Sequence, residues 1–280
     1  MKIIRKIEQM QEYIRKHRRA GKTIGLVPTM GALHEGHLSL IRRAARENDL
    51  VVVSIFVNPI QFGPNEDFKK YPRPFAKDVK LAVKAGADII FNPGAGEMYP
   101  PGYQTYVEPG ELTAGLCGAF RPAHFRGVVT VVIKLFNSVL ADRAYFGQKD
   151  YQQAQVIKQM VKDLNLQMQI VVCPIIREKD GLAMSSRNQY LSPEERRSAT
   201  CLHEALRVAK AMVSSGIKDA GKIKREIRNI IQSNLLAKVD YIEIVDAGSL
   251  EPVKQIKGQA AIALAVFIGK TRLIDNMVWG

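Results

Sequence analysis

Eight consecutive residues, Leu50-Val51-Val52-Val53-Ser54-Ile55-Phe56-Val57, are apolar at every position but one. A strand with one wet face alternates apolar and polar residues. A strand covered on both faces runs apolar throughout, and such strands belong to parallel sheets sandwiched by helices. Upstream, Ile24–Pro28 reads as a strand and Leu38–Asn48 has helical spacing, which completes a strand–helix–strand unit. The alternation continues. Residues 2–20 read as a helix, with Ile3, Ile4, Ile7, Met10 and Ile14 three or four apart. Asp78–Ala85 is a helix that stops at Gly86, followed by a strand at Ile89–Phe91. An apolar helix spans Val128–Val139, and strands at Ala144–Phe146 and Gln169–Pro174 flank a helix at Tyr151–Leu164. The expected fold class is α/β, a Rossmann-like doubly wound parallel sheet, with the ligand crevice at the carboxyl ends of its strands.

After Leu191 the pattern changes. Ser192 and Pro193 form a helix start, helices are expected at about 193–214 and 219–236, and strands at Asp240–Val245 and Ala260–Ile268. The expected division is a Rossmann-like domain over residues 1–177 and a smaller α+β domain over 178–280. A length of 280 residues, with 46% hydrophobic and 24% charged content, fits a soluble protein of this kind. No apolar run reaches the ~18 residues of a membrane span, and the first residues carry no apolar core of a signal peptide. Cys117, Cys173 and Cys201 are scattered and odd in number, as in a reducing cytoplasm. The expected location is therefore cytoplasmic, without a membrane partner.

The net charge of +14 is spread along the chain rather than gathered in a tail. It suits an anionic small-molecule ligand, and the absence of stacking motifs speaks against nucleic acid.

Five segments carry polar groups where strands or loops hand over to helices. In Pro28-Thr29-Met30-Gly31-Ala32-Leu33-His34-Glu35-Gly36-His37 two histidines stand three apart at a helix start, where exposed backbone N–H groups attract anions. A zinc pair would need histidines four apart, as in His-Glu-x-x-His. Asn58 and Gln61 follow the strand ending at Val57. Gly147-Gln148-Lys149-Asp150 opens a helix that carries Gln153 four residues beyond the lysine. Met184-Ser185-Ser186-Arg187 supplies two hydroxyls and a guanidinium. Arg121–Gly127 combines basic residues and glycine before an apolar helix. Each segment taken alone could equally be an ordinary turn.

Taken together, His34-Glu35-Gly36-His37 and the later Met184-Ser185-Ser186-Arg187 resemble the nucleotidylyltransferase superfamily. The fuller set is similar to the pantoate–β-alanine ligase family over essentially the whole chain. It comprises Pro28 to His37, Phe56 to Phe62, Phe146 to Gln153 and Asp180 to Asn188, in that order. The resemblance implies an ATP-dependent acid–amine ligase that makes pantothenate through a pantoyl adenylate, releasing pyrophosphate and AMP. It implies catalytic roles for His37, His34 and Lys149. ATP contacts are implied at Met30, Gly31, Ala32, Leu33, His34, Glu35, Gly36, His37, Gly147, Gln148, Lys149, Asp150, Ile176, Met184, Ser185, Ser186 and Arg187. Pantoate or β-alanine contacts are implied at Gln61, Gln153 and Asn58, and Asp78 as a distant participant. Mg2+ is implied on the phosphates, with no protein metal ligand assigned, and a homodimer is implied. Two rivals are an adenylyltransferase that stops at nucleotide transfer and an RNA-binding protein that exploits the positive charge.

Overall fold

A computed structural model describes residues 1–64 and 66–279. Its first layer system is a six-stranded, wholly parallel sheet in the order β1-β4-β3-β2-β5-β6. The strands are β1 (Lys2–Ile4), β2 (Ile24–Thr29), β3 (Leu50–Ile55), β4 (Ile89–Phe91), β5 (Arg143–Gly147) and β6 (Gln169–Cys173). The α-helices between them are α1 (Ile7–Arg19), α2 (Glu35–Glu47), α3 (Phe75–Lys84), the short α4 (Ala95–Met98) and α5 (Leu116–Phe120), α6 (His124–Val139) and α7 (Tyr151–Asp163). All six residues of β3 are buried, which is why its sequence does not alternate. On one face of the sheet Met10, Ile14, Val132, Leu135 and Ile157 pack against Ile24, Leu26 and Val52. On the other, Leu40, Ile41, Ala44 and Ala82 cover Val27, Val51 and Val53. The expected doubly wound class is thus the one observed.

Helices α8 (Pro193–Ser198), α9 (Cys201–Ser214) and α10 (Ala220–Gln232) lead into an antiparallel sheet of β7 (Ala237–Asp246), β8 (Ala260–Ile268) and β9 (Thr271–Trp279). Leu202, Leu206, Ile223 and Ile227 pack on Ile242, Ile262 and Leu264 as a separate core. The two sheet systems touch through Tyr151, which is buried with Val245, Ala247 and Ala261 and whose hydroxyl donates to the Ala247 carbonyl at 2.7 Å. All three cysteines are free. Among the described residues, no helix is long and apolar enough to cross a membrane.

The elements differ from the expected ones in three places. Residues 2–4 are a strand rather than the first turn of a helix, because Ile3 and Ile4 pair alongside Ile90 and Phe91 at the sheet edge. The helix expected over 193–214 is broken between α8 and α9, where the Thr200 hydroxyl bonds back to the Arg197 carbonyl at 2.8 Å. The closing strand β9 was not expected. Its sequence places Asp275 and Asn276 in succession, and both are buried, so it lacks the simple apolar alternation of an exposed strand.

Candidate active site

Strands β2 and β5 are neighbours, yet they pair only at Gly25–Arg143 and Leu26–Ala144 before parting. The chain runs outward from β2 through β3 to β4 on one side, and through β5 to β6 on the other. The carboxyl ends of β2 and β5 therefore open a crevice at the point where the strand order reverses. Both the two-histidine turn and the lysine turn emerge there.

The turn after β2 is held from below. The Asp78 carboxylate, 1% exposed, accepts the Ala32 and Leu33 N–H groups at 2.9 and 2.8 Å. Gly31 sits at φ +83°, and a Cβ there would lie 2.9 Å from the same carboxylate. Asp78 is thus a brace beneath the turn, fully engaged with backbone. The histidines cap α2 reciprocally: His34 Nδ1 accepts the Gly36 N–H at 3.2 Å, and His37 Nδ1 accepts the His34 N–H at 3.3 Å. With both Nδ1 atoms engaged as acceptors, each neutral ring carries its proton on Nε2. The rings lie 4.1 Å apart, centroid to centroid. The N–H groups of Gly31, Ala32, Leu33, His34 and Gly36 donate to side chains, so most amides of this turn are already engaged. The imidazole Nε2–H groups of His34 and His37 are further donors in the crevice wall.

Burial, and after it the neighbouring Lys149 ammonium, lower the His34 imidazole from its usual 6.5 to about 4 against the opposing pull of Asp150 and Glu178. Burial, then His34 and Lys149, hold His37 well below its usual value too. Both rings are neutral hydrogen-bond donors at pH 7.

Beyond β3, the turn Pro59–Gln61 is fixed by Asn58, 1% exposed. The Asn58 amide donates to Gln61 Oε1 at 3.0 Å and to the Gly127 carbonyl at 3.1 Å, and its oxygen accepts the Tyr99 hydroxyl at 2.8 Å. Gln61 Nε2 points to the Met30 sulfur at 3.3 Å. Helix α6 approaches this turn so closely that a Cβ on Gly127 would fall 2.4 Å from the Ile60 carbonyl oxygen and 2.6 Å from Gln61 Cα. Overpacking of this kind costs about 1–3 kcal/mol and shifts the neighbouring backbone. Gly127→Ala is therefore expected to lower the melting temperature by several degrees and to weaken any ligand held by Gln61. Calorimetry checks the first effect, and an unchanged melting temperature would contradict the close packing of Gly127 on the Ile60–Gln61 turn.

Lys149 follows β5, and Gln153 follows it on α7. Both face the same crevice, of about 240 Å³, as His34, His37, Asn58, Gln61, Ile176, Met184, Ser185, Ser186 and Arg187. Met30, Gly36, Gly147 and Asp150 also line it. Gly31, Ala32, Leu33, Glu35 and Gln148 do not. Leu33 is buried beneath α2, and Glu35 is exposed and ion-paired with Arg42. The Ile176 carbonyl accepts the Met184 N–H at 3.0 Å, which anchors the Ser-Ser-Arg loop. Ser185 caps that loop through the Arg187 N–H. Glu66, Asp67 and Tyr71 had no signal in the sequence, whereas Arg121 and His124 belong to the basic segment noted there. Tyr71 meets the Ser186 hydroxyl at 3.3 Å, and Asp67 pairs with Arg187 at 2.8 Å. Glu66 pairs with Arg121 at 2.6 Å. His124 donates from Nδ1 to the Gln61 carbonyl at 2.8 Å while its Nε2 accepts from Arg121 at 3.0 Å. Burial and Arg121 lower the His124 imidazole to about 4.

A cationic and donor-rich crevice at the switch point of a parallel sheet places the chain among α/β proteins that act on phosphorylated ligands. The profile of the pantoate-β-alanine ligase family matches residues 2–278, and the chain belongs to that family. It is 57% identical over 278 residues to a pantothenate synthetase of Caldicellulosiruptor bescii, covering 99% of each chain. It is 56% identical over 280 residues to that of Thermotoga petrophila, covering 100% of each. The crystal structure of pantothenate synthetase from Thermus thermophilus superposes with a TM-score of 0.94 at 42% identity, covering 99% of both chains. Pantoate-β-alanine ligase from Francisella tularensis, complexed with β,γ-ATP and β-alanine, superposes at 0.81 with 38% identity, covering 99% of this chain and 97% of that one.

Proposed function

We infer that this chain condenses pantoate with β-alanine at the expense of ATP, through a pantoyl adenylate held in the crevice between β2 and β5. The observation that carries this reading is the convergence of His34, His37, Lys149, Arg187, Gln61 and Gln153 on one cavity from four separate segments of the chain. The pantoate carboxylate is already ionised at pH 7, so the first step needs orientation and charge neutralisation more than a base. Its oxygen bonds to the α-phosphorus as the bond to the bridging oxygen breaks and pyrophosphate leaves. The β-alanine amine then attacks the acyl carbon, AMP departs, and the amine loses a proton.

Each group has a place in this scheme. His37 and His34 donate from Nε2 to phosphate oxygens, and Lys149 neutralises the charge that develops there. Arg187 and the Ser185 and Ser186 hydroxyls close over the β- and γ-phosphates. To do so Arg187 exchanges its Asp67 carboxylate for phosphate. Met30, Gly36, Gly147, Asp150 and Ile176, which share the crevice wall with the two histidines and Lys149, surround the nucleotide. Gln61 and Gln153 bind pantoate, and Asn58 holds Gln61 from behind. The family likeness implies Mg2+ on the phosphates; it would arrive with ATP as substrate, in keeping with its habit of retaining water and substrate ligands.

The remaining parts of the reading rest on the family likeness. The chain works as a homodimer in the cytoplasm, with a smaller domain over residues 178–280, a division supported by one core that reaches Ile170 and another that starts at Leu182.

Gln153→Ala is expected to raise the pantoate KM about 10- to 100-fold with little change in kcat, as for a lost hydrogen bond to a charged ligand. Steady-state kinetics with varied pantoate reads it, and an unchanged KM would contradict the assignment. The reaction itself is tested by product analysis. AMP and pantothenate should form only when ATP, pantoate and β-alanine are all present. ATP turnover without pantoate would favour a simple nucleotidyl transfer.

A further inference from the structure

The strand that the sequence concealed reaches back to the lysine turn. Asn276, 3% exposed on β9, donates from Nδ2 to the Gln148 carbonyl at 3.0 Å and to the Lys149 carbonyl at 2.9 Å. Its Oδ1 accepts the Gln148 side-chain amide at 3.3 Å. These bonds fix the amide orientation and use both of its N–H donors on one turn of the other sheet system. Adjacent Asp275, 2% exposed, takes a bidentate pair from Arg177 at 2.6 and 2.9 Å. Arg177 also donates to the Gly181 carbonyl at 3.0 Å and bridges to Ala183, just before the Ser-Ser-Arg loop. A buried amide and a buried carboxylate side by side in a strand are costly unless fully partnered. Here every partner named lies on a segment that delivers a phosphate-facing side chain.

We propose that Asn276 is a positioning residue for adenylate formation: it clamps the Gln148–Lys149 backbone from the C-terminal sheet and so fixes where the Lys149 ammonium stands. Lys149 emerges from a 3-10 turn, Gln148–Asp150, whose N-terminus has no side-chain cap of its own. The external amide restrains the turn in another way, through the Gln148 and Lys149 carbonyls. The smaller domain is on this account part of the catalytic machinery, beyond any covering role. The inference rests on Lys149 acting on the phosphates, as proposed above.

A double-mutant cycle tests it, read as the single-turnover rate of adenylate formation with MgATP and pantoate. Asn276→Ala is expected to slow this step about 30-fold, a size typical of coupled neighbours. The pantoate KM should stay within about twofold, since Asn276 touches neither Gln61 nor Gln153. In a Lys149→Ala background the same change should alter the rate less than about threefold, because the residue acts through the missing ammonium. Asn276→Asp keeps the shape and the Oδ1 acceptor but turns an oxygen toward two carbonyls. It should reproduce both the loss and its disappearance without Lys149. An equal loss in both backgrounds would show general destabilisation and overturn the inference, as would a parental rate in Asn276→Asp. A parental rate in Lys149→Ala alone would overturn the reading of Lys149 itself, and the inference with it.

Discussion

His37→Ala is expected to slow pantoyl-adenylate formation by about 10²–10³-fold, the effect of removing one preorganised donor from a site of developing charge. The loss should appear in the chemical step, since the ring donates most strongly as charge accumulates on the phosphate oxygens. The fold should survive. His37 does accept the His34 N–H and so completes the cap of α2, but losing a cap costs about 0.5–2 kcal/mol, small beside the burial of Leu40, Ile41 and Ala44 on the same helix. Rapid-quench measurement of the adenylate, with circular dichroism as the control, reads both effects. A near-parental rate in a folded variant would undo the assignment.

The same rings make a pH prediction. His34 is lowered to about 4 and His37 is lowered as well, so neither gains a proton on going from pH 8 to 6. Single-turnover adenylation should show no inflection near 6.5. Stability should behave differently. The unfolded chain binds protons on these histidines below about 6.5 while the folded chain does not. Stability is therefore present above that value and falls as pH drops from 6.5 toward 4, and His124, also near 4, adds to the fall.

Lys149→Ala is expected to be at least as damaging, by about 10²–10³-fold, and it carries an independent readout. The ammonium is the second-largest cause of the depressed His34 value, after burial. Removing it should move the His34 titration upward, measurable by NMR on the free protein with no substrate present. An unmoved His34 resonance would place Lys149 too far away to act on the same phosphates. A shifted resonance with a parental rate would separate proximity from catalysis.

What could be read from the sequence was what local pattern encodes. The unbroken apolar run of β3 announced a sheet covered on both faces, and the histidine pair and the lysine turn announced themselves by sitting where strands end. Their convergence followed from sheet topology alone. What stayed hidden depends on long-range partners. Asp78 looks like any helix residue until the turn of Ala32 and Leu33 is laid over it. Gly127 looks like a helix blemish until the Ile60–Gln61 turn packs against it. Residues 2–4 became a strand only because the edge of β4 was open to them. Asn276 faces a turn 127 residues away, and nothing in the spacing of β9 signals that contact. The anion site also gained donors. Sequence pointed to backbone N–H groups at the start of α2, and folding engages five amides of that turn with His34, His37, Asp78 and Thr29, which adds the imidazole edges to the donors the site can offer.

The central claim is that a carboxylate oxygen of pantoate bonds directly to the α-phosphorus in this crevice. Pantoate labelled with ¹⁸O in both carboxylate oxygens, turned over with ATP and β-alanine, tests it by mass spectrometry of the products. The account requires one labelled oxygen in AMP and the other in the pantothenate amide carbonyl. Label in inorganic phosphate with ADP as co-product, or AMP free of label, would contradict it.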